Sequence, residues 1–279
     1  MKKYLSFFLA VLLLLSLAGC EREKVSKKRK AEAEDFLIVT VEGGIEEQTA
    51  KMVGANLEEG GYSYALTKET PKILPEGTKC AIYVGVESER ATVASVRCSF
   101  KTNDSGENTL SPSLSSGTMA RAATLLLPSA QHFTVLSREA GGADVQDACD
   151  YLDLCGVDYR AETLGEGALA EIMKRSASDA VLLPSAELSG RGVELFFEGC
   201  AAFAVGEGEA VRGALATFCI DTESLARDTA LLAISQVTGE EVAIRTESYY
   251  ILCLDRALCE KYSADVPAVS EDFKVVLVD

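Results

Sequence analysis

The chain has no tryptophan and a single histidine, His132, among 279 residues. It has no Cys-x-x-Cys pair, and His132 has no ligand-like spacing to any two cysteines, so no zinc site is expected. Gly-x-Ser-x-Gly, the Walker loop and a Gly-x-Gly-x-x-Gly following a strand are all missing. His132 stands at a strand entry after Ser129, where no Ser-His-Asp arrangement can be inferred. No metal, cofactor or catalytic group is therefore expected, and the chain does not read as an enzyme. Basic residues are also scarce, 27 against 43 acidic ones, for a formal charge of −16. Nucleic acid needs a basic footprint, so it is excluded as a partner. Nine cysteines are present. Eight follow position 20, namely Cys80, Cys98, Cys149, Cys155, Cys200, Cys219, Cys253 and Cys259. Most lie inside apolar runs, where free cysteine behaves as a small hydrophobe, so buried unpaired thiols are expected rather than a disulfide framework.

What is present is punctuated by two periodicities. The chain opens MKKYLSFFLAVLLLLSLAGC, with Lys2 and Lys3 before the apolar run Leu5–Leu17. That run is short for a membrane span. Leu17-Ala18-Gly19-Cys20 resembles the bacterial lipobox, which implies a signal peptide over 1–19 and lipidation of Cys20 after cleavage. Residues 20–35 are polar with a basic centre and read as the lipid anchor and a flexible tether. The expected location is the extracytoplasmic face of the cell membrane, held by lipid. About 260 residues remain, enough for one large domain or two lobes.

The segment Leu125–Leu164 sets the grammar. Pro128 stops a helical run, Phe133–Leu136 is a short buried strand, and Ser137–Gly142 is a polar loop. Val145, Cys149 and Leu152 recur at helical spacing, with Asp144 or a neighbour as N-cap, and Gly156 ends that helix before a strand from Val157. This is the βαβ pattern of a parallel sheet covered by helices, whose ligands bind beyond the carboxyl ends of the strands. Upstream, Phe36–Val41 is a strand, the Ile45–Leu57 pattern a helix ending at Gly60-Gly61, and Tyr62–Leu66, Ala81–Val86 and Thr92–Phe100 are strands. Two prolines and a glycine in Lys68–Thr78 argue against a crossover helix there, and Lys101–Gly117 reads as loop and connector. Downstream, Met119–Leu127, Ala168–Lys174, a core at Val193–Phe197, Leu225–Val237 and Arg256–Tyr262 read as helices. Ala180–Leu183, Ala201–Val205, Ala214–Ile220, Tyr249–Leu254 and Phe273–Val278 read as strands. Asp221 is expected to cap the helix that starts near Glu223.

From Leu126 to Pro267 the order of motifs resembles the substrate-binding lipoproteins that carry tryptophan, tyrosine and related compounds to ABC importers. Leu126-Leu127-Pro128 precedes the strand Phe133-Thr134-Val135-Leu136. Ser178-Asp179-Ala180-Val181-Leu182-Leu183-Pro184 forms a strand closing on proline. Gly213-Ala214-Leu215-Ala216, Cys219-Ile220-Asp221, Leu225-Ala226-Arg227 and Gly239-Glu240 follow in the family's order. The chain departs from the pattern where Ser111-Pro112 replaces the usual Ser-Asp, where Arg138-Glu139 replaces Asn-Pro, and where Gly206-Glu207 replaces an Asp. The resemblance implies an α/β, two-lobed, periplasmic-binding-protein-like fold of type 1, each lobe a mainly parallel sheet flanked by helices. It divides the chain into 36–110 plus 222–244 for the first lobe and 111–221 plus 245–279 for the second. It also implies a monomer that takes a small amino-acid-like or other polar ligand and delivers it to an importer permease, with the lipid anchor as its tie to the membrane. The alternative is a non-transporting sensor or interaction lipoprotein that retains the scaffold; the shortened first lobe points that way.

A two-lobed binder needs a few polar groups converging on a cleft. The strand-end candidates are Glu42, Gly43, Glu87, Ser88, Ser111, Ser137, Arg138, Glu139, Ser185, Glu187 and Glu207. Arg138 could meet a carboxylate, and Glu42, Glu139, Glu187 or Glu207 an amine. Tyr62, Tyr83 and Phe203 are aromatic candidates for the cleft or for the core. Lipidation is tested directly by mass spectrometry of the N-terminal peptide of the membrane-extracted protein. The expected peptide begins at a modified Cys20; a different start, or an unmodified Cys20, refutes the anchor.

Overall fold

The computed structural model describes residues 34–87, 93–101, 104, 106–138, 142–163, 178–192, 200–206, 208–242, 244 and 248–279. The expected helices at Ala168–Lys174 and Val193–Phe197 lie outside them, as do Cys20 and the tether.

The first sheet has five strands, β1 (Phe36–Thr40), β2 (Tyr64–Thr67), β3 (Cys80–Val84), β4 (Ala94–Cys98) and β5 (Thr109–Leu110), in the order β2-β1-β3-β4-β5. Every pairing is parallel. Both faces of a parallel sheet must be covered, which is why β1 and β3 are buried at every position. Helix α1 (Gly44–Glu59) follows β1 directly and lays Val53 and Leu57 on the sheet. Between β2 and β3 the proline-rich stretch forms no helix, as its composition requires. Leu74 from that stretch covers part of the second face, against Leu37, Val39, Ala81 and Tyr83. The connector reading of Lys101–Gly117 misses β5. Its two residues pair with Arg97 and Cys98 through register alone, a signal too short to see in a sequence.

The second sheet has seven strands, β6 (His132–Ser137), β7 (Asp158–Thr163), β8 (Ala180–Leu182), β9 (Ala201–Gly206), β10 (Ala216–Ile220), β11 (Tyr250–Asp255) and β12 (Val275–Val278), in the order β12-β11-β10-β9-β8-β6-β7. All neighbours are parallel except β10 and β11. Helices α2 (Ser116–Leu126) and α3 (Gln146–Cys155) cover one face, over Phe133, Phe203 and Phe218. Helix α4 (Ala186–Gly192) lies on the other through Leu188. Helix α2 starts upstream of the expected Met119, and Ser115 caps it: its hydroxyl accepts from Thr118 N.

Helix α5 (Thr222–Thr238) leaves the second sheet at Asp221 and packs on the first. Leu225, Ala226, Ala230 and Ala233 share a core with Phe36, Ile82 and Val96. The chain returns to β11 past Gly239, whose φ of 72° makes the left-handed stop of the helix. Short helices α6 (Arg256–Tyr262) and α7 (Val266–Ser270) follow β11.

Seven of the eight described cysteines are buried, all eight are free, and Cys155 alone of them is exposed. Burial pushes the thiols of Cys80, Cys98 and Cys200 up to about 12, which removes their thiolates at neutral pH. Native protein treated with a thiol-specific maleimide should therefore label fastest at Cys155, read by peptide mapping. Denatured, unreduced protein should expose all eight. A count short of about half would mean disulfides that this core does not contain.

Candidate functional site

The strand ends of the two sheets face each other across a cleft. On the first-lobe side lie the loops after β1 and β4; on the second-lobe side lie those after β6, β8 and β9. One part of the cleft encloses about 490 Å³ and brings Phe100 and Lys101 opposite Arg138, Ser185 and Glu187, with Tyr250 at its back. An adjoining part of about 610 Å³ lies between Ile45 and Gln48 on α1 and Gly206 with Gly208–Val211. Both parts share Ala186, Val205 and Gly206, so they form one groove.

Arg138 owes its position to Asp144. The sequence suggested that Asp144 or a neighbour caps α3. Instead Asp144 sits in a 3₁₀ turn, Ala143–Val145, and Val145 precedes α3 with no side-chain cap. The Asp144 carboxylate turns back to accept from Ser137 Oγ and from Arg138 N, the latter at 2.9 Å, and lies 3.7 Å from Arg138 Nε. Partial burial opposes its ionisation, but the bonds from Ser137 and the Arg138 amide outweigh that and hold its pKa below the usual carboxylate value. These bonds fasten Asp144 to the end of β6 and hold Arg138 at the cleft. Ser137 itself is buried, its hydroxyl given to Asp144. Ser185 accepts from Leu188 N at 3.2 Å and starts α4, which places Glu187 on the first turn facing the groove.

The other expected residues do other work. Glu42 pairs with Lys68 at 2.9 Å. Gly43, at φ 77°, precedes α1 and donates its N–H to Glu47, whose pKa is lowered to about 2 by Lys51 and by that amide. Glu87 meets Arg97 at 3.3 Å and Lys101 at 3.1 Å. The Ser111 hydroxyl donates to the carbonyl of Asp104. Ser88, Glu139 and Glu207 lie outside the described residues. Among the aromatic candidates, Phe203 and Tyr83 are core, and Tyr62 packs edge-on against Phe36 at 5.4 Å. Among the described residues the cleft aromatics are Phe100 and Tyr250. Phe100 and Lys101 close the β4 segment, so the strand-end rule that selected Arg138 also reaches them once β4 is placed. Tyr250 had no signal, because it begins a strand and only the antiparallel pairing of β11 with β10 turns that beginning toward the cleft.

Gly206 explains one departure from the family pattern. A Cβ there would run into the Glu209 carbonyl and come within 2.9 Å of Thr217 Cγ2. Position 206 therefore has no room for an aspartate side chain.

No family model matches the sequence, and no curated protein matches it significantly. Solved structures do match in fold. The ligand-free, open structure of CD0873, a substrate binding protein with adhesive properties from Clostridium difficile, has a TM-score of 0.59 and 12% identity, covering 88% of this chain and 99% of that one. The ABC domain in complex with L-Trp from Streptococcus pneumonia has a TM-score of 0.53 and 12% identity, over 86% and 99%. A probable transcription regulator from Thermus thermophilus has a TM-score of 0.51 and 13% identity, over 77% and 95%. The chain has the α/β two-lobed architecture of type 1 periplasmic-binding-protein-like proteins, two mainly parallel sheets flanked by helices.

Asp221 stands where the chain passes from the second sheet to α5. It accepts from Ser224 N and Oγ at the head of that helix, and from Lys274 Nζ at 2.9 Å. Burial opposes its ionisation, but the Lys274 and Ser224 bonds prevail and its pKa lies below 3.8. A carboxyl whose folded pKa is depressed adds stability above its unfolded value and loses it as pH falls through the folded one. Asp221→Asn keeps a capping oxygen and removes the charge. It should cost about 1 kcal/mol at pH 7, and the difference from wild type should shrink below about pH 4, as measured by urea unfolding across pH. A difference that is constant with pH would show that the ion pair contributes nothing.

Proposed function

We propose that the protein is an extracytoplasmic solute-binding lipoprotein that takes a small amino-acid-like molecule between its lobes and delivers it to an ABC importer. The observation that carries this reading is the charge pattern of the groove: Lys101 from the first lobe and Arg138 from the second lie around one cavity with Glu187. Two cations can hold a carboxylate from opposite sides, Glu187 an amine, and Phe100 or Tyr250 a side chain. Ser185 is occupied by its own helix start, so it shapes the wall rather than reacts. His132, exposed at the opposite ends of the strands beside Asp158 and Asp179, belongs to no such cluster. Binding without chemistry is the activity the groove suits. The lipobox-like start supports the membrane tether, and the similarity to substrate-binding proteins supports the scaffold. A ligand that touches both lobes favours the closed state, because only there do all its contacts exist.

A second reading, a sensor or interaction lipoprotein, draws on the first lobe. Where a crossover helix would cover the sheet between β2 and β3, the chain supplies only a proline-rich strand-to-strand connection. A permease and an ATPase encoded beside the gene would favour import; a receptor kinase there would favour sensing.

A thermal-shift screen of amino acids, short peptides and nucleosides tests the binding reading. A cognate ligand at 100 times its dissociation constant adds about 2.7 kcal/mol of stability. For a carboxylate ligand so identified, Arg138→Ala and Lys101→Ala should each weaken binding about tenfold or more. No shift across the panel, together with a membrane protein that co-purifies with the unliganded form, would favour the second reading. Unchanged affinity in both variants would displace the anion site.

A further inference from the structure

Behind the segments that join the lobes lies a second cavity of about 460 Å³. It touches the groove at Tyr250 alone among their lining residues. Its floor is aromatic: Phe218 meets Tyr250 edge-on at 6.5 Å and Phe273 at 6.2 Å. Its walls come from both lobes. Arg227 and Asp228 sit on α5, which packs on the first sheet, whereas Arg121 on α2 and Asp272–Lys274 before β12 belong to the second.

The hydrogen-bonding capacity of these walls is lopsided. Three acids line the cavity, and two are well supplied. Asp221 accepts from Ser224 twice and from Lys274. Asp228, 3% exposed, accepts from Tyr249 Oη at 3.2 Å and from Arg227 Nε at 3.1 Å. Among the described residues the arginines are engaged at one end only. Arg227 binds through Nε, and Arg121 reaches Asp272 through one terminal nitrogen at 2.7 Å. A guanidinium carries five N–H donors in a rigid fork, and both side chains are about half exposed. The open valence of the cavity is therefore cationic donors placed over an aromatic floor. An anion with a flat apolar body satisfies both; a cation would find the two buried acids taken.

We propose that this hinge cavity is a second small-molecule site, distinct from the interlobe groove, that binds aromatic carboxylates. An occupant would touch α5 on one lobe and α2 and Phe273 on the other. Its affinity depends on the hinge angle, and by linkage it biases lobe closure to the same degree that closure biases its binding. The site stands or falls apart from the groove's own ligand.

Isothermal titration of the full-length protein in detergent, with benzoate and indole-3-acetate as probes, tests it. Micelles without protein provide the blank, and benzamide, the neutral isostere of benzoate, provides the charge control. One site is expected, with benzamide at least tenfold weaker than benzoate. The double variant Arg121→Gln, Arg227→Gln should lose at least tenfold in affinity for either carboxylate while retaining the wild-type melting temperature within a few degrees. Both side chains are about half exposed, and with Arg227 replaced the buried Asp228 keeps its bond from Tyr249 Oη. The proposal is overturned if neither carboxylate binds at 10 mM, if benzamide equals benzoate, or if the double variant binds as wild type does. It is also overturned if Arg138→Ala abolishes binding and the double variant does not, since the probe would then occupy the groove.

Discussion

The first sheet depends on a helix that the chain supplies only after building most of the second sheet. Strands β1 and β3 are buried throughout and β4 at Val96 and Cys98, and a parallel sheet left open on a face would expose Phe36, Ile82 and Val96 to water. Helix α1 covers part of that face. Helix α5 completes it, with Leu225, Ala226, Ala230 and Ala233 turned inward. The fully buried Leu225 contributes about 1.5–3 kcal/mol, and the three alanines let the helix cover the face closely. The same arrangement forces three passages between the lobes. Those passages put the strand ends face to face and make a groove at all.

Two carboxylates set the local geometry that follows. Asp221 fixes the point at which β10 becomes α5 and ties it to Lys274, one residue before β12. Asp144 holds Ser137 and Arg138 at the end of β6. Asp221 acts at the passage to α5, beside the second cavity, and Asp144 acts at the end of β6, where it holds Arg138 on the groove. The groove's cations come from separate sheets, and neither would bind an anion tightly alone in water. Their value lies in convergence, which closure can improve.

Much of the fold was legible because buried parallel strands read as short apolar runs and their helices as 3.6-residue patterns. Phe36–Thr40, Gly44–Glu59, His132–Ser137 and Arg256–Tyr262 fall where those patterns place them. Strand β5 escaped because two residues carry no period. Neither Asp144 nor a neighbour caps α3 with its side chain, because a short acid before a helix can cap it or can bond backward, and here Asp144 bonds backward. Among the candidate site residues, Arg138, Ser185 and Glu187 reach the groove. Glu42 and Glu87 are held by lysine and arginine neighbours instead.

By itself, the sequence determined the α/β class, the order of strands and helices, the absence of a crossover helix in Lys68–Thr78, and the acidic character of the surface. These are local or compositional properties, set by side-chain period, proline's missing N–H and charge count. Only the tertiary structure decided that Lys101 faces Arg138, that Tyr250 backs the groove, and that Gly206 has no room for a side chain. It also decided that Arg121 and Arg227 share a cavity behind the hinge. Those relations join residues from different sheets through the three passages between lobes. No pattern within a strand or a helix records such a meeting, because it depends on how far each element is carried by the others.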